Sequence, residues 1–331
     1  MASNAARVSD RSQEIQAFLT ANGWGSAQQT ALAGDASNRR YVRLQNPSGD
    51  RAVLMDASAD AGAPLIRFID IASYLISRGL SAPRIVADDV QQGLLLLEDL
   101  GDTLFASEIA SAPELEPTLY KAAVEQLLVF RDSWPAFLAQ PQPDQLADFT
   151  DLAFDYYCPL MGAEADPNAV ATATAAMAEA LSAVHPTKPV FVHRDYHAEN
   201  LIWLPKRAGV ARVGVLDFQD AWAGHPAYDL MSLLQDARRD VSAPIAQMVM
   251  THYVTRSGDS MDALEHACAV YGAQRHLRIL GIFARLGSTG GRPGYLKLIP
   301  RTWRYLQSCL QHPKLHELGA GLNRILPPPR P

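Results

Sequence analysis

The stretch that decides the fold is residues 191–220, FVHRDYHAENLIWLPKRAGVARVGVLDFQD. Two apolar segments within it, residues 200–204 and 213–218, read as short strands joined by a basic, glycine-containing turn. Polar groups stand at their ends. His193 precedes Asp195 by two positions, Asp195 precedes Asn200 by five, and Asp217 lies 17 residues beyond Asn200. Two carboxylates and an amide are oxygen donors of the kind that hold magnesium on a nucleotide.

This spacing matches the H-R-D-x-x-x-x-N loop and strand-ending metal aspartate of the kinase fold, a signature of phosphoryl transfer. Such transfer needs a carboxylate beside the attacking hydroxyl, to orient it and accept its proton. Asp195 is expected to be that base, with Asn200 and Asp217 as magnesium ligands. A lone D-x-x-x-x-N is common and would mean only a polar turn between strands. The combination with His193, two strands and Asp217 carries the assignment.

The chain has 331 residues, enough for two domains or one two-lobed unit. With 48% hydrophobic and 19% charged residues, it has the profile of a soluble protein able to bury a core. A net charge of −6 argues against nucleic acid as the main partner, because that binding rests on neutralising phosphates. The opening MASNAARVSDRSQE lacks the apolar centre of a secretory signal, and no apolar run approaches the roughly 18 residues of a membrane span. Cys158, Cys268 and Cys309 match no metal-ligand spacing. A reduced cytoplasm, without membrane association, is the expected location.

Ahead of the central stretch, D-x-x-Q at residues 10–13 reads as a capping box. It opens a helix with a stripe at Ile15, Phe18 and Leu19, ending at Gly23 or Gly25. Strands are expected at residues 40–44 and 52–56, separated by turns. The turn at 34–38 takes the place of a phosphate-covering loop. Gly34 and Ser37 are small enough there for backbone N–H groups to approach phosphate, although an ordinary hairpin turn reads equally well. The third-strand lysine of protein kinases is missing, and no lysine occurs before Lys121. Arg43, with Arg39 and Arg40 behind it, is the first candidate to face phosphates instead; the alternative is a solvated strand-edge charge. Residues 63–79 read as a helix whose single acid, Asp70, could pair with an arginine. In the hairpin that follows, Leu97, Glu98 and Leu100 fall where a kinase hinge binds adenine, with Glu98 and Asp99 structural or ribose-facing. A lobe boundary is expected at Gly101 and Asp102.

Beyond it, helices are predicted at 116–138, 149–160, 167–184, 227–238, 243–257, 261–286 and 295–311, with a linker at 140–145 and a disordered proline-rich tail. Phe154, Tyr156 and Tyr157 would serve the core or a sugar pocket. Asp229, in the first turn of its helix, is placed to cap that helix or brace the catalytic loop, a structural role shared with His193. Arg275, Arg278 and Arg285 lie on one long helix, as contacts for an acidic substrate or as a solvated face.

VHRDYHAENLIW and VLDFQDAWAGHPAYDL resemble the aminoglycoside phosphotransferase/choline kinase superfamily of small-molecule kinases, over nearly the whole chain. The resemblance implies an α+β, two-lobed, protein-kinase-like fold. A small antiparallel-sheet N-lobe (1–100) would cover the nucleotide, and a larger helical C-lobe (101–331) would carry the catalytic and sugar-binding groups. Asp217 runs almost directly to the YDL helix, which leaves little room to dock a peptide. GDASNRRYVRL, VLMDA, HRDYHAENL and AQRHLRILGIFARL are similar to the bacterial cell-wall sugar 1-kinases. These phosphorylate the anomeric hydroxyl of N-acetylmuramate and N-acetylglucosamine in peptidoglycan recycling, and share the lysine-free VLMDA. The resemblance implies ATP and Mg2+, an amino-sugar acceptor, and a product passed to a uridylyltransferase. His197, Glu199, Gln219 and Asp220 are then candidates for sugar hydroxyls or the acetamido group, and Arg275, Arg278 or Arg285 for a lactyl carboxylate. A kinase for another small alcohol (aminoglycoside, choline or homoserine) and a silent nucleotide-binding module are the alternatives. Intact Asp195, Asn200 and Asp217 count against the second.

Overall fold

The structure, a computed structural model, describes residues 2–32, 39–57 and 62–330, with side chains from Asp10 onward. The chain forms two compact units, Met1–Leu104 with Leu201–Gln219, and Phe105–Asn200 with Asp220–Pro331.

The first unit is built on an antiparallel sheet in the order β1-β2-β3-β5-β4, from β1 (Gln28–Ala31), β2 (Arg40–Gln45), β3 (Arg51–Asp56), β4 (Ile85–Asp89) and β5 (Leu94–Glu98). In β3 and β5 the runs AVLM and LLLL are buried on both faces, so they do not alternate with polar residues. One face, with Leu44, Ala52, Leu54, Leu94 and Leu96, packs on Phe18 and Leu19 of α1 (Ala2–Ala21). Leu65, Phe68, Ile71, Ala72 and Leu75 form the buried stripe of α2 (Gly62–Ser77), at a spacing that places them on one side. α1 begins well before the expected start at Asp10, because alanines in ASNAARVS carry the helix through that position.

In chain order there follow β6 (Val190–Val192), β7 (Leu201–Trp203), β8 (Val213–Val215) and β9 (Trp222–Gly224). β7 pairs with β8 in the first unit, and β6 with β9 in the second. The first unit is therefore discontinuous in sequence and runs to Leu104, past the expected boundary. Long-range bonds explain this. Val215 N–H donates to Ser81 O (2.9 Å), Trp203 N–H to Thr103 O (2.7 Å), and Arg207 reaches Glu98 (2.6 Å).

The second unit is mainly helical, with α3 (Phe105–Ser111), α4 (Glu116–Phe130), α5 (Pro143–Asp148), α6 (Pro167–Ala183), α7 (Ala227–Leu234), α8 (Ala243–Ser257), α9 (Met261–Ser288), α10 (Ile299–Leu310) and α11 (His316–Ile325). α5 stands where a linker was expected. Pro143 fits its first turn, and Gln142 and Gln145 cap it reciprocally. The 149–160 segment contains a π-helical turn at Ala153–Tyr157, and the adjoining Leu152 carbonyl lies so close to Gly281 of α9 that any Cβ there would collide. Phe154 and Tyr157 are core residues. The tail is held rather than disordered, since Tyr157 OH donates to Pro327 O (2.7 Å) and Arg330 to Met161 O (2.7 Å).

Candidate active site

β6 delivers the chain into residues 193–200. His193 is fully buried and meets Tyr196 edge-on (5.7 Å), whose hydroxyl is anchored at Ala123 O and Gln126 (2.9 Å each). Asp229, in the first turn of α7, accepts the N–H groups of His193 (2.6 Å) and Arg194 (2.8 Å). Arg194 has φ of +79°, a left-handed conformation costly for a residue with a Cβ. The two bonds to one buried carboxylate hold the chain in that conformation. Burial pushes Asp229 up to about 7, against the pull of these bonds. The Arg194 guanidinium lies over Trp222 (4.3 Å) and donates to the exposed Asp220 through its carbonyl (2.9 Å).

Asp195 keeps 40% of its side chain exposed, and Arg275 of α9 brings Nη2 to 4.0 Å from its Oδ1. Burial opposes its ionisation, but Arg275, with Arg278 and Arg194 assisting, holds the carboxyl below its ordinary range. Asp195 is therefore an anion at neutral pH, able to accept a hydrogen bond from a hydroxyl. Asn200 Nδ2 donates to Asp195 O (2.9 Å), which leaves the amide oxygen as its group for a cation. His197 is buried, and burial keeps its imidazole well below the usual range. Arg238 Nη1, 3.1 Å away, can only donate, so the neutral ring accepts at Nε2. Arg238 also pairs with Glu199 (2.7 Å). His197 thus braces the loop from inside, while Glu199 remains half-exposed.

In the first unit, Asp217 follows β8 by two residues with φ of +60°; it and Arg194 are the non-glycine positive-φ positions among the described residues. Gln219 Nε2 donates to Asp217 Oδ1 (2.6 Å), and Gln219 O accepts from Arg67 (2.8 Å), so Gln219 orients the carboxylate. Phe218 stacks on Phe68 (4.8 Å) and fixes the segment between them.

Arg43 is paired with two acids of its own unit. Its guanidinium reaches Asp99 (2.8 Å) and Asp102 (2.6 Å), and Asp70 lies exposed on α2. Arg43→Ala is expected to lower stability by about 2 kcal/mol, because the buried Asp99 loses a charged donor. A shift in the urea unfolding midpoint measures it. The Glu98 carboxylate bonds Arg84 (3.2 Å) and Arg207 (2.6 Å), and its N–H donates to Arg84 O (2.8 Å). Leu97 is paired on both sides, with Val53 and Ile85. The backbone of Leu97 and the side chain of Glu98 are therefore held within the sheet region, and Leu100, beyond β5, is buried. Gly34 and Ser37 lie outside the described residues.

The α9 arginines do not share one solvated face. Arg275 is 3% exposed, Arg278 is half-buried, and Arg285 lies over Tyr156 (5.8 Å). α9 is enclosed over most of its length, so Arg275 is a buried partner of Asp195. Arg238 is a residue the sequence does not flag: ARRD has no periodic signal, and its partner His197 is 41 positions away.

A half-exposed anionic carboxylate and an amide on one braced loop fit phosphoryl transfer. Residues 28–264 match the phosphotransferase enzyme family, and the chain belongs to it. It is 38% identical to an N-acetylmuramate/N-acetylglucosamine kinase of Caulobacter vibrioides, covering 96% of this chain and 98% of that one. A protein of the same description from Pseudomonas aeruginosa is 31% identical, over 91% and 90% of the two chains. The fold is similar to that of an ADP-bound aminoglycoside phosphotransferase (TM-score 0.60, 14% identity, 88% of this chain and 96% of that one). Among the described residues no helix is long and apolar enough to cross a membrane.

Proposed function

We propose that the protein transfers the γ-phosphoryl group of ATP to the anomeric 1-hydroxyl of N-acetylmuramate or N-acetylglucosamine. It would act in the cytoplasm in peptidoglycan recycling, its product passing to a uridylyltransferase. The carrying observation is the anionic Asp195, 40% exposed and held by Arg275 on a braced loop. The names of the Caulobacter and Pseudomonas relatives support the choice of acceptor.

Asp195 accepts a hydrogen bond from the 1-hydroxyl, aligns it with the γ-phosphorus and takes its proton as the new O–P bond forms and the bond from that phosphorus to the bridging oxygen breaks, with ADP as the leaving group. A loose transition state asks little basicity of it, so a low pKa is compatible with the role. Asn200, through its amide oxygen, and Asp217, through its carboxylate, are hard donors that fit magnesium. When bound, that ion neutralises phosphate charge. The half-exposed Glu199 and exposed Asp220 are open to sugar hydroxyls, and the half-buried Arg278 to a lactyl carboxylate.

ADP release with magnesium-ATP and N-acetylmuramate, N-acetylglucosamine, glucose, choline and kanamycin tests the assignment. Turnover is expected with the N-acetyl sugars and is lost with their 1-O-methyl glycosides. Turnover restricted to choline or kanamycin would overturn the acceptor. A cationic alcohol finds some support in a groove of about 660 Å3 on the second unit, lined by Asp144, Asp148, Asp151 and Asp155. None of residues 193–200 lines that groove, and the amino sugar is therefore preferred.

A further inference from the structure

We propose that a small cavity in the second unit is the subsite for the acetamido group of the acceptor, an inference that rests on the amino-sugar assignment above. The cavity measures about 230 Å3. Ala106, Ile109 and Ala110 of α3 form its apolar lining, and Glu199, Asp236, Arg238 and Arg239 its polar lining.

Asp236 is the informative member. It is 1% exposed, its Oδ1 accepts the N–H of Arg238 (2.8 Å), and its Oδ2 is buried without a hydrogen-bond partner. Buried carboxylate oxygens are rarely left so, and Asp236 is at the same time part of the cavity lining. The two arginines, by contrast, are already matched. Arg238 pairs with Glu199 (2.7 Å) and Arg239 with Glu116 (2.9 Å), and Arg239 also donates to Tyr120 OH (2.6 Å). The cavity thus offers no uncompensated cation to a carboxylate. Two acids against two arginines in its lining give a free ammonium no net attraction. A neutral group carrying both a donor and an acceptor fits.

An acetamido group brings one N–H, one carbonyl oxygen and one methyl. The acids of the lining, Glu199 and Asp236, take the N–H, its guanidinium groups take the carbonyl oxygen, and the α3 side chains cover the methyl. A hydroxyl in the same position would leave the apolar lining uncovered. The location is also suitable. Glu199 immediately precedes Asn200, and Arg238 joins the cavity to His197, two residues beyond Asp195. In a 2-acetamido sugar the amide-bearing carbon is bonded to the carbon that carries the 1-hydroxyl, so the two recognition sites must adjoin.

The test measures kcat/KM for N-acetyl-, N-propanoyl- and N-butanoyl-glucosamine in the wild type, Ile109→Ala and Ala110→Leu. Ile109→Ala deepens the apolar lining and is expected to shift preference toward the N-butanoyl sugar by about tenfold or more. Ala110→Leu, at an exposed position that tolerates the change in folding, is expected to lower kcat/KM for the N-acetyl sugar by about tenfold with KM for ATP unaltered. An acyl-chain profile that neither substitution moves, in a wild type active on N-acetylglucosamine, would overturn the subsite and leave the sugar assignment standing. Wild-type inactivity on every N-acyl sugar would overturn the assignment first, and the subsite with it.

Discussion

Asp195→Asn is expected to lower kcat by about 10²–10⁴-fold while KM for ATP stays close to the wild-type value. The amide preserves the shape of the side chain but cannot accept the hydroxyl proton. It also removes the anion 4.0 Å from Arg275, whose side chain is only 4% exposed. Nε and Nη1 of Arg275 already lack hydrogen-bond partners, so its charge then has one compensating group fewer. A melting curve taken with single-turnover ADP formation separates the two consequences. Unchanged turnover in a folded variant would refute the base assignment. Because the Asp195 carboxyl is held below its ordinary range, the proposed base is ionised at neutral pH and is lost only as pH falls through that lowered pKa. The acid limb of the wild-type rate profile should accordingly lie below the usual aspartate range.

Asp229→Ala should have the larger effect on folding, a loss of about 3–5 kcal/mol. The N–H groups of His193 and Arg194 both lose their acceptor, and Arg194 loses what holds it at φ of +79°. Urea denaturation reads the global loss, and amide exchange at residues 193 and 194 reads the local one. Exchange as slow as in the wild type would show that the loop is held by something else. Asp229→Asn keeps one acceptor and should cost less, about 1–3 kcal/mol. It also changes the pH dependence. Burial raises the folded-state pKa of Asp229 from 3.8 to about 7, so between those values the folded protein holds a proton that the unfolded chain does not. The contribution is full below 3.8 and is lost as pH rises through about 7. Stability of the wild type should fall across this window, and Asp229→Asn should flatten the fall. Equal slopes in the two proteins would contradict this.

What the sequence determined by itself is local in origin. His193, Asp195 and Asn200 fall within eight consecutive residues, so their types and spacing declare the chemistry without knowledge of the fold. Apolar runs bounded by turn residues likewise mark β2, β3 and β5, and period and caps mark α8 at 243–257. The tertiary structure decided which charge meets which. Arg43 answers acids 56 and 59 positions away, the partner of Arg275 lies 80 positions back, and Leu201–Gln219 joins strands from the start of the chain. A guanidinium reads the same in sequence whether it faces phosphate, a structural carboxylate or water. Its role follows from burial and from the nearest opposite charge in space, and both are set when distant segments pack.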